Sequence, residues 1–342
     1  MEKSLCIYYF SGTGNARNVA QIIEREVWRH NVAVQINDIS KTDRLHIKSP
    51  QSNELLVLVS PVHGFNYPPI MLHYLLRFPK GNNEVMLMNT RAGMLIGKWV
   101  TPGISGISLY LSALVLKLKG YHIRALYPVD LPSNWISLHP ALNKRTVDFI
   151  YTKTLPKLRV LAQPFFAEKR SFWSVRECLI DVIVAPIAVL YYIIGRFIIA
   201  KTFYVSKDCI RCGACYKNCP VHAIKTVAGR PFWTFKCESC MKCMNSCPKR
   251  AIETAHGFIV VYTIAFSLLL SSVIYRYVDL SLITQNGVLK FIFECSLFAF
   301  MIAVFYRLFH YMLRFRWFER IAVYTSLSKL KIWGRYEAWI LK

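Results

Sequence analysis

The chain has 342 residues, a length that allows two domains and further segments. Hydrophobic residues make up 54% of it and the formal net charge is +24, which argues against an ordinary soluble protein. This combination favours contact with the anionic leaflet of a membrane or with acidic partners. Nucleic acid is not expected as a partner, because the basic residues are spread over several segments without a nucleic-acid-binding motif.

The first predicted elements are a buried strand at residues 5–10, a glycine-rich loop and an amphipathic helix. The loop reads Ser11-Gly12-Thr13-Gly14-Asn15-Ala16. Backbone N–H groups and the dipole of a helix N-terminus attract phosphate at such a position. The lysine of the GxxxxGK(S/T) motif and the GxGxxG pattern are both missing, which argues against a nucleotide triphosphatase and a Rossmann dinucleotide site.

Strands and helices alternate through the rest of the N-terminal half. We expect strands at 32–37, 54–60, 84–89 and 121–129, and helices near 68–77, 104–118 and 140–160. This alternation predicts an α/β, doubly wound parallel sheet, whose ligands lie beyond the carboxyl ends of the strands. Two further predicted loops stand there and could flank a flat ring: Ser60-Pro61-Val62-His63-Gly64 and Asn89-Thr90-Arg91-Ala92-Gly93.

The segment YYFSGTGNARNVA is similar to the flavodoxin phosphate loop, whose pattern is (S/T)-x-T-G-(N/T)-(T/A/S). The resemblance implies a flavodoxin-like sheet of order 2-1-3-4-5 over residues 1–165 and an FMN cofactor with its ring between 61–64 and 89–93. It places the phosphate on Ser11, Thr13, Gly14, Asn15 and Ala16. The chain departs from the pattern in two ways: Ala16 has no hydroxyl, and 60–64 contains no Trp or Tyr to stack on a flavin. A flavin-free docking domain therefore stays open as an alternative.

An apolar stretch at 179–200 follows, interrupted by Asp181, Pro186 and Arg196. Its uncharged centre at 182–195 has 14 residues, which is short for a membrane span. A full crossing would also place the predicted flavin domain and the cysteine-rich segment that follows on opposite sides of the membrane. We therefore expect an interfacial or re-entrant helix within a linker at 166–202.

Eight of the eleven cysteines stand in two copies of one pattern, within 203–256. The copies are Cys209-x2-Cys212-x2-Cys215-x3-Cys219-Pro and Cys237-x2-Cys240-x2-Cys243-x3-Cys247-Pro. This is the run of bacterial two-cluster ferredoxins, in which the fourth cysteine of each run ligates the other cluster. We predict an α+β domain with two [4Fe-4S] clusters, the first held by Cys209, Cys212, Cys215 and Cys247 and the second by Cys237, Cys240, Cys243 and Cys219. Zinc is the alternative, although zinc sites favour separated Cys-x-x-Cys pairs.

Residues 258–275 and 288–306 are long and apolar enough for a transmembrane helical hairpin within 257–308. The alternative is a pair of buried helices in a soluble domain. Basic residues stand before the first span and throughout the aromatic tail at 309–342, so both termini and the cofactor domains are expected on the cytoplasmic side. A reducing compartment suits the clusters and free thiols, and we expect no signal peptide.

These parts together predict a membrane-associated relay of electrons between two clusters and FMN. We expect a redox partner protein and a lipophilic acceptor, such as a quinone or a membrane enzyme. One alternative is an FMN-dependent reductase that acts directly on a small or lipophilic substrate, with His63 as the candidate proton donor because histidine titrates near neutrality. The other is a membrane ferredoxin with a flavin-free docking domain.

Overall fold

The computed structural model describes residues 4–162 and 170–340, and its contacts divide the chain into two compact units. The first unit comprises Met1–Trp135, Ala141–Tyr192 and Tyr336–Lys342. The second comprises Ile136–Pro140 and Ile193–Arg335. The finer division of the chain into five domains and segments stays a prediction.

The first unit contains one sheet whose principal strands all run parallel. Its elements in chain order are β1 (Ser4–Tyr9), α1 (Asn15–Trp28), β2 (Val34–Asp38), β3 (Glu54–Pro61), α2 (Pro69–Arg77), β4 (Glu84–Ile96), β5 (Trp99–Thr101), α3 (Ser108–Leu118), β6 (His122–Pro132), α4 (Lys144–Ala162) and β7 (Ser171–Phe172). The order across the sheet is β2-β1-β3-β4-β6-β7, and β5 pairs antiparallel with β4. With β6 counted as the fifth principal strand, this is the flavodoxin-like order 2-1-3-4-5. The predicted fold class of this unit is confirmed.

Apolar runs place β1 and β3 in the centre of the sheet. Ile7 and residues 56–59 are fully buried, as strands covered by helices on both faces must be. Val19 and Ile23 of α1 are also buried, whereas β2 at the edge of the sheet is only half-buried. This arrangement brings the loops after β1 and β3 to the same edge of the sheet.

The expectation of a loop at residues 89–93 is wrong, because β4 continues through them to Ile96. Thr90 and Arg91 pair in register with Val129 and Asp130 of β6, which itself runs on to Pro132. The polar character of this stretch suggests a loop, but pairing with a distant strand supplies the hydrogen bonds that keep it extended. Its first residues still lie beside the end of β3.

Two helical stretches, Trp173–Ile183 and Ala185–Ala200, follow β7 and are bent by 75° where they meet. They contain α5 (Cys178–Ile183), α6 (Ala185–Leu190) and α7 (Arg196–Ala200). Leu179 is 75% exposed, whereas the carboxylate of Asp181 is buried and accepts a hydrogen bond of 2.7 Å from the backbone N–H of Gly106. A broken span and a re-entrant loop both have this form, so the expected interfacial or re-entrant helix stays a prediction.

Two antiparallel strand pairs frame the cysteine repeats of the second unit. The elements are β8 (Phe203–Val205), α8 (Ala214–Lys217), β9 (Ile224–Val227), β10 (Arg230–Trp233), α9 (Lys242–Asn245) and β11 (Ile252–Thr254), in which β8 pairs with β11 and β9 with β10. The repeat of 28 residues is also a repeat of backbone conformation, since the positive φ of Arg211 recurs at Ser239. Ala223 and Ala251 are both fully buried at equivalent positions. This is the predicted α+β cluster domain.

Two long apolar helices, His256–Tyr277 and Gly287–Met312, follow β11. Each has a mean hydropathy of 2.2 and enough residues to cross a bilayer. They include α10 (His256–Leu269), α11 (Tyr275–Tyr277) and α13 (Gly287–Met312), with α12 (Ser281–Thr284) between them and α14 (Arg316–Tyr324) after them. Tyr262, Phe266 and Ile302 form a small buried core between the helices, and most of their other side chains are exposed. These features are compatible with the predicted transmembrane hairpin.

Candidate cofactor sites

Cysteines from both runs line one cavity of ≈ 260 Å³ in the second unit. They are Cys209, Cys212, Cys215 and Cys247. Burial raises the pKa of the Cys215 thiol to about 11, and the nearby sulfurs of Cys209 and Cys247 act in the same direction. Four sulfur donors around one cavity match the ligand requirement of a [4Fe-4S] cluster, and iron binding would take the place of the thiol protons.

The remaining four cysteines are linked by their effects on one another's pKa values. Burial raises the pKa of the Cys240 thiol to about 12, and the neighbouring Cys219 contributes to that increase. Cys219 also contributes to the raised pKa values of Cys237 and Cys243, for which burial is again the main cause. The fourth cysteine of the first run thus acts on all three thiols with which the prediction groups it.

Backbone N–H groups donate to cysteine sulfurs at equivalent positions of the two repeats. The donor–acceptor pairs are Arg211 N to Cys209 Sγ at 3.4 Å, Ser239 N to Cys237 Sγ at 3.4 Å, Ala223 N to Cys219 Sγ at 3.2 Å and Ala251 N to Cys247 Sγ at 3.4 Å. Such bonds stabilise negative charge on the sulfurs of a cluster. Among the described residues, no group of three or more His, Cys, Asp or Glu side chains is arranged to hold a single metal ion.

The two cysteine sets differ in their surroundings. Cys212 of the first set is exposed, whereas Cys237 of the second is buried near the fully buried Trp233. Lys201 is also buried there; its Nζ donates to the carbonyl of Trp233 at 2.6 Å and lies 4.1 Å from the ring centre of Phe235. Burial lowers the pKa of Lys201 to about 8, although Cys237 acts in the opposite direction. The sets thus differ at one cysteine each, since the other three of both sets have intermediate exposure.

The loop between β1 and α1 has the features of an anion site. Gly14 has a φ of +116°, a conformation that favours glycine, and its N–H donates to Ser11 Oγ at 3.0 Å. The side chain of Asn134 donates to Thr13 Oγ1. Within the described part of the chain no side chain caps the N-terminus of α1, where Asn15 and Ala16 are buried. Free backbone donors at a helix N-terminus suit a phosphate group, so the residues present fit the phosphate end of FMN.

The loop after β3 lies beside Thr90, in the middle of β4. The N–H of Val62 donates to the carbonyl of Thr90 at 2.9 Å, while His63 and Asn66 exchange backbone hydrogen bonds. Gly64 has a φ of +53°, and a Cβ there would lie 2.1 Å from the ring of Tyr191. The structure thus brings residues 61–64 and 89–90 together.

Asn89 and Arg91 of the same predicted site have partners inside the protein. Asn89 Nδ2 donates to Ser108 Oγ at 2.9 Å. The buried guanidinium of Arg91 forms ion pairs with Asp130, at 2.7 Å, and with Glu177. The Asn89 Nδ2 group and the Arg91 guanidinium are therefore engaged with other side chains of the first unit.

Residues 208–252 match the family of 4Fe-4S dicluster domains. None of the curated proteins compared with the chain matches it. A flavodoxin of Bacillus cereus aligns at 11% identity and a TM-score of 0.33, over 48% of this chain and 97% of its own. A flavodoxin from the domain Archaea aligns at 16% identity and 0.32, over 46% and 93%. Rubredoxin oxygen:oxidoreductase of Desulfovibrio gigas aligns at 14% and 0.30, over 48% of this chain but only 37% of its own.

The chain joins a parallel sheet of flavodoxin-like strand order to a segment that matches 4Fe-4S dicluster domains, an arrangement we call the fusion. The strand order of the first unit and the dicluster match in the second unit carry this assignment. The fusion is an iron–sulfur protein of the electron-transfer type. Its two apolar helices are compatible with insertion into a membrane.

Two aromatic residues near the predicted ring site of the fusion were not among the sequence candidates. The Trp135 ring is nearly parallel to His63, at 6.3 Å and 18°, and Tyr191 meets Trp135 edge-on at 5.6 Å. Trp135 follows the carboxyl end of β6. Ligands of such sheets lie beyond the carboxyl ends of the strands, so Trp135 becomes a candidate once the length of β6 is known. Tyr191 lies within the apolar stretch at 179–200, where no sequence signal distinguishes it.

Proposed function

We propose that the fusion is a membrane-associated electron relay that carries two [4Fe-4S] clusters and one FMN. The observation that carries the proposal is the presence, in one chain, of two crossed sets of four cysteines and a flavodoxin-like phosphate loop. When bound, the clusters supply one-electron exchange and FMN supplies storage of an electron pair. The fusion would therefore connect a one-electron partner with a two-electron partner.

The cluster domain is built to stabilise added negative charge. Four backbone N–H groups donate to cysteine sulfurs. Residues 203–256 contain nine Lys or Arg and three Asp or Glu, a net charge of 9 − 3 = +6. Both features favour the reduced form of a cluster and raise its potential. The same surplus would attract an acidic redox partner protein to the exposed Cys212.

The first unit has separate places for the two ends of FMN. The uncapped N-terminus of α1 would hold the phosphate through backbone N–H groups, as Gly14 allows a close approach. His63, Trp135 and Tyr191 would shield the ring from water. These aromatic side chains would stack on or shield the flavin ring, a role for which residues 60–64 contain no Trp or Tyr.

We place the relay on the cytoplasmic side of a membrane, with the two apolar helices as its anchor. Lys249 and Arg250 before the first helix and the basic residues after the second favour cytoplasmic ends. The exposed apolar face of α5 would lie at the membrane surface. A lipophilic acceptor, such as a quinone or a membrane enzyme, and a soluble redox partner fit this location.

A second candidate function is an FMN-dependent reductase that acts directly on a small or lipophilic substrate. The nearly parallel rings of His63 and Trp135 favour it, because such a pair can enclose a flat molecule. His63 is its candidate proton donor. Reduction of a substrate by the purified chain, without a partner protein, would distinguish this function from a relay.

The cofactor content of the full chain, purified in detergent without oxygen, tests the proposal. We expect about eight iron, eight sulfide and one FMN per chain. Cys212→Ser should reduce the iron to about four, whereas Cys178→Ser, an exposed thiol outside both sets, should retain about eight. Full iron without FMN, even after FMN is added, would overturn the relay and leave a membrane ferredoxin with a flavin-free docking domain.

A further inference from the structure

Residues 336–340, which we call the return segment, lie against the phosphate loop within the first unit. They are separated from that loop by 321 positions in sequence. Tyr336 and Ala338 contact the loop itself, and Trp339 contacts α1 and α4 beside it. The expected role of this stretch, as part of a basic aromatic tail at the membrane, does not account for these contacts.

Tyr336 fixes the side chain of Asn15. Its hydroxyl donates to Asn15 Oδ1 at 2.6 Å, and the hydroxyl of Tyr151 donates to the same oxygen at 2.9 Å. Asn15 Nδ2 in turn donates to the carbonyl of Pro132 at 2.9 Å. Tyr336, Tyr151 and Asn15 are all buried, so water does not compete for these hydrogen bonds. The first residue of α1 is therefore held at both ends of its amide group.

Trp339 holds the next turn of the same helix. Its ring stacks on Tyr151 with centres 4.5 Å apart and planes at 11°. Its carbonyl accepts a hydrogen bond of 2.8 Å from Asn18 Nδ2, which also donates to the hydroxyl of Tyr151 at 3.1 Å. The stack and the shared donor tie the return segment to both α1 and α4.

Ala338 lies directly over the glycine of the phosphate loop. Its Cβ is 3.2 Å from the place that a Cβ of Gly14 would occupy. Gly14 has a φ of +116°, which is open to glycine and rarely to other residues. The return segment thus covers a glycine of the loop that has a left-handed conformation.

We propose that the return segment is a strap that holds the phosphate loop in its anion-binding conformation and so sets how tightly FMN is retained. This inference rests on the proposed binding of FMN. Tyr336 and Trp339 act as positioning residues, through Asn15, Asn18 and Tyr151. A loop fixed before its ligand arrives pays less ordering entropy on binding, so the strap strengthens binding without touching the ligand.

Titration of FMN into the flavin-depleted full chain, followed by flavin fluorescence, tests the strap. Tyr336→Phe removes the hydroxyl that donates to Asn15 and should raise the dissociation constant about fivefold. Trp339→Ala removes the stack and should raise it about tenfold. Ile340→Ala, an exposed neighbour in the same segment, is the matched control and should leave the constant unchanged.

Hydrogen exchange without FMN separates the strap from the flavin. The amides of residues 14–18 should exchange at least about tenfold faster in Trp339→Ala than in the unmodified chain, while those of β3 keep their protection and show that the unit is folded. If the unmodified chain binds no FMN, the proposed function fails and this measurement still decides whether the strap fixes the loop. Unchanged exchange in Trp339→Ala overturns the strap, as does unchanged FMN affinity of both variants of a chain that binds FMN.

Discussion

Cys219 stands four residues after Cys215 in the sequence, yet its charge contributes to the raised pKa values of Cys237, Cys240 and Cys243 in the second run. The sulfur of Cys219 accepts a hydrogen bond from the backbone N–H of Ala223, four residues further along the chain. Cys247 makes the reciprocal crossing into the first cavity. In the proposed pairing each run supplies its last cysteine to the other set, so neither cluster could be completed by one run alone.

Double substitutions test the crossing through their non-additivity. Cys215→Ser and Cys247→Ser both affect the first set, so the variant with both changes should lose no more iron than either single variant and keep about four per chain. Cys215→Ser with Cys219→Ser affects both sets and should lose nearly all the iron. Iron and sulfide analysis after anaerobic purification measures this. Equal iron in the two double variants would contradict the crossed sets.

The cysteine sites are predictable from sequence because the ligands lie within short, fixed spacings. The aromatic residues near the predicted flavin site are harder to predict from sequence. Trp135 becomes visible only when β6 is known to reach Pro132, because a strand ending at 129 would leave it six residues away. Tyr191 has no local signal, since its position depends on a bend of 75° within an apolar stretch.

At the scale of elements, local periodicity predicts β1 and β3 to within one residue at each end. It does not predict the continuation of β4 through 90–96, which depends on pairing with β6 and β5. Local periodicity also does not predict the contact of the return segment, whose hydrogen bond to Asn15 joins residues 321 positions apart. A sequence pattern indicates which side of a helix or strand is apolar. It does not indicate which distant part of the chain packs or pairs there, and these features depend on that.

Because the loop after β3 contacts Tyr191, alanine should be less well tolerated at Gly64 in that loop than at Gly97. Gly64 and Gly97 have similar φ values of +53° and +60°, so alanine at either position should cost about 1–2 kcal/mol for the left-handed conformation. A Cβ at Gly64 would also lie 2.1 Å from the ring of Tyr191, while a Cβ at Gly97 meets nothing within 4 Å.

We therefore expect Gly64→Ala to reduce the free energy of unfolding of the first unit by about 1–3 kcal/mol more than Gly97→Ala does. Urea unfolding of the full chain in detergent, followed by a signal from the first unit such as exchange of the β3 amides, measures the difference. Gly97→Ala serves as the matched control for backbone strain. Equal losses would show that Tyr191 moves away at no cost.

At the scale of the whole molecule, part of the net charge of +24 is concentrated in a cavity beside α14. A cavity of ≈ 620 Å³ there is lined by four basic residues, Lys207, Arg316, Arg320 and Lys329, and two acidic ones, Asp208 and Glu319. Both acids are already in ion pairs, Asp208 with Lys329 and Glu319 with Arg230. The cavity therefore keeps a positive surplus.

An apolar face accompanies this surplus on the same short helix. Trp317 and Ile321 are 57% and 52% exposed and stand four residues apart, which places them on one side of α14. Basic and exposed apolar side chains on one helix favour the headgroup region of an anionic leaflet. The helix begins four residues after the second apolar helix ends at Met312, so it follows directly on the proposed membrane anchor.

Arg316→Gln with Arg320→Gln should weaken the preference for anionic lipid. Each cation near an anionic surface contributes about 1 kcal/mol, so the loss of two predicts an effect of about thirtyfold at low salt, decreasing as salt is added. The measurement is the ratio of phosphatidylglycerol to phosphatidylcholine retained by the chain in native mass spectrometry. Lys217→Gln with Lys225→Gln removes the same charge from exposed positions outside the cavity and is the matched control. An equal decrease in both double variants would show that net charge, and not this cavity, selects the lipid.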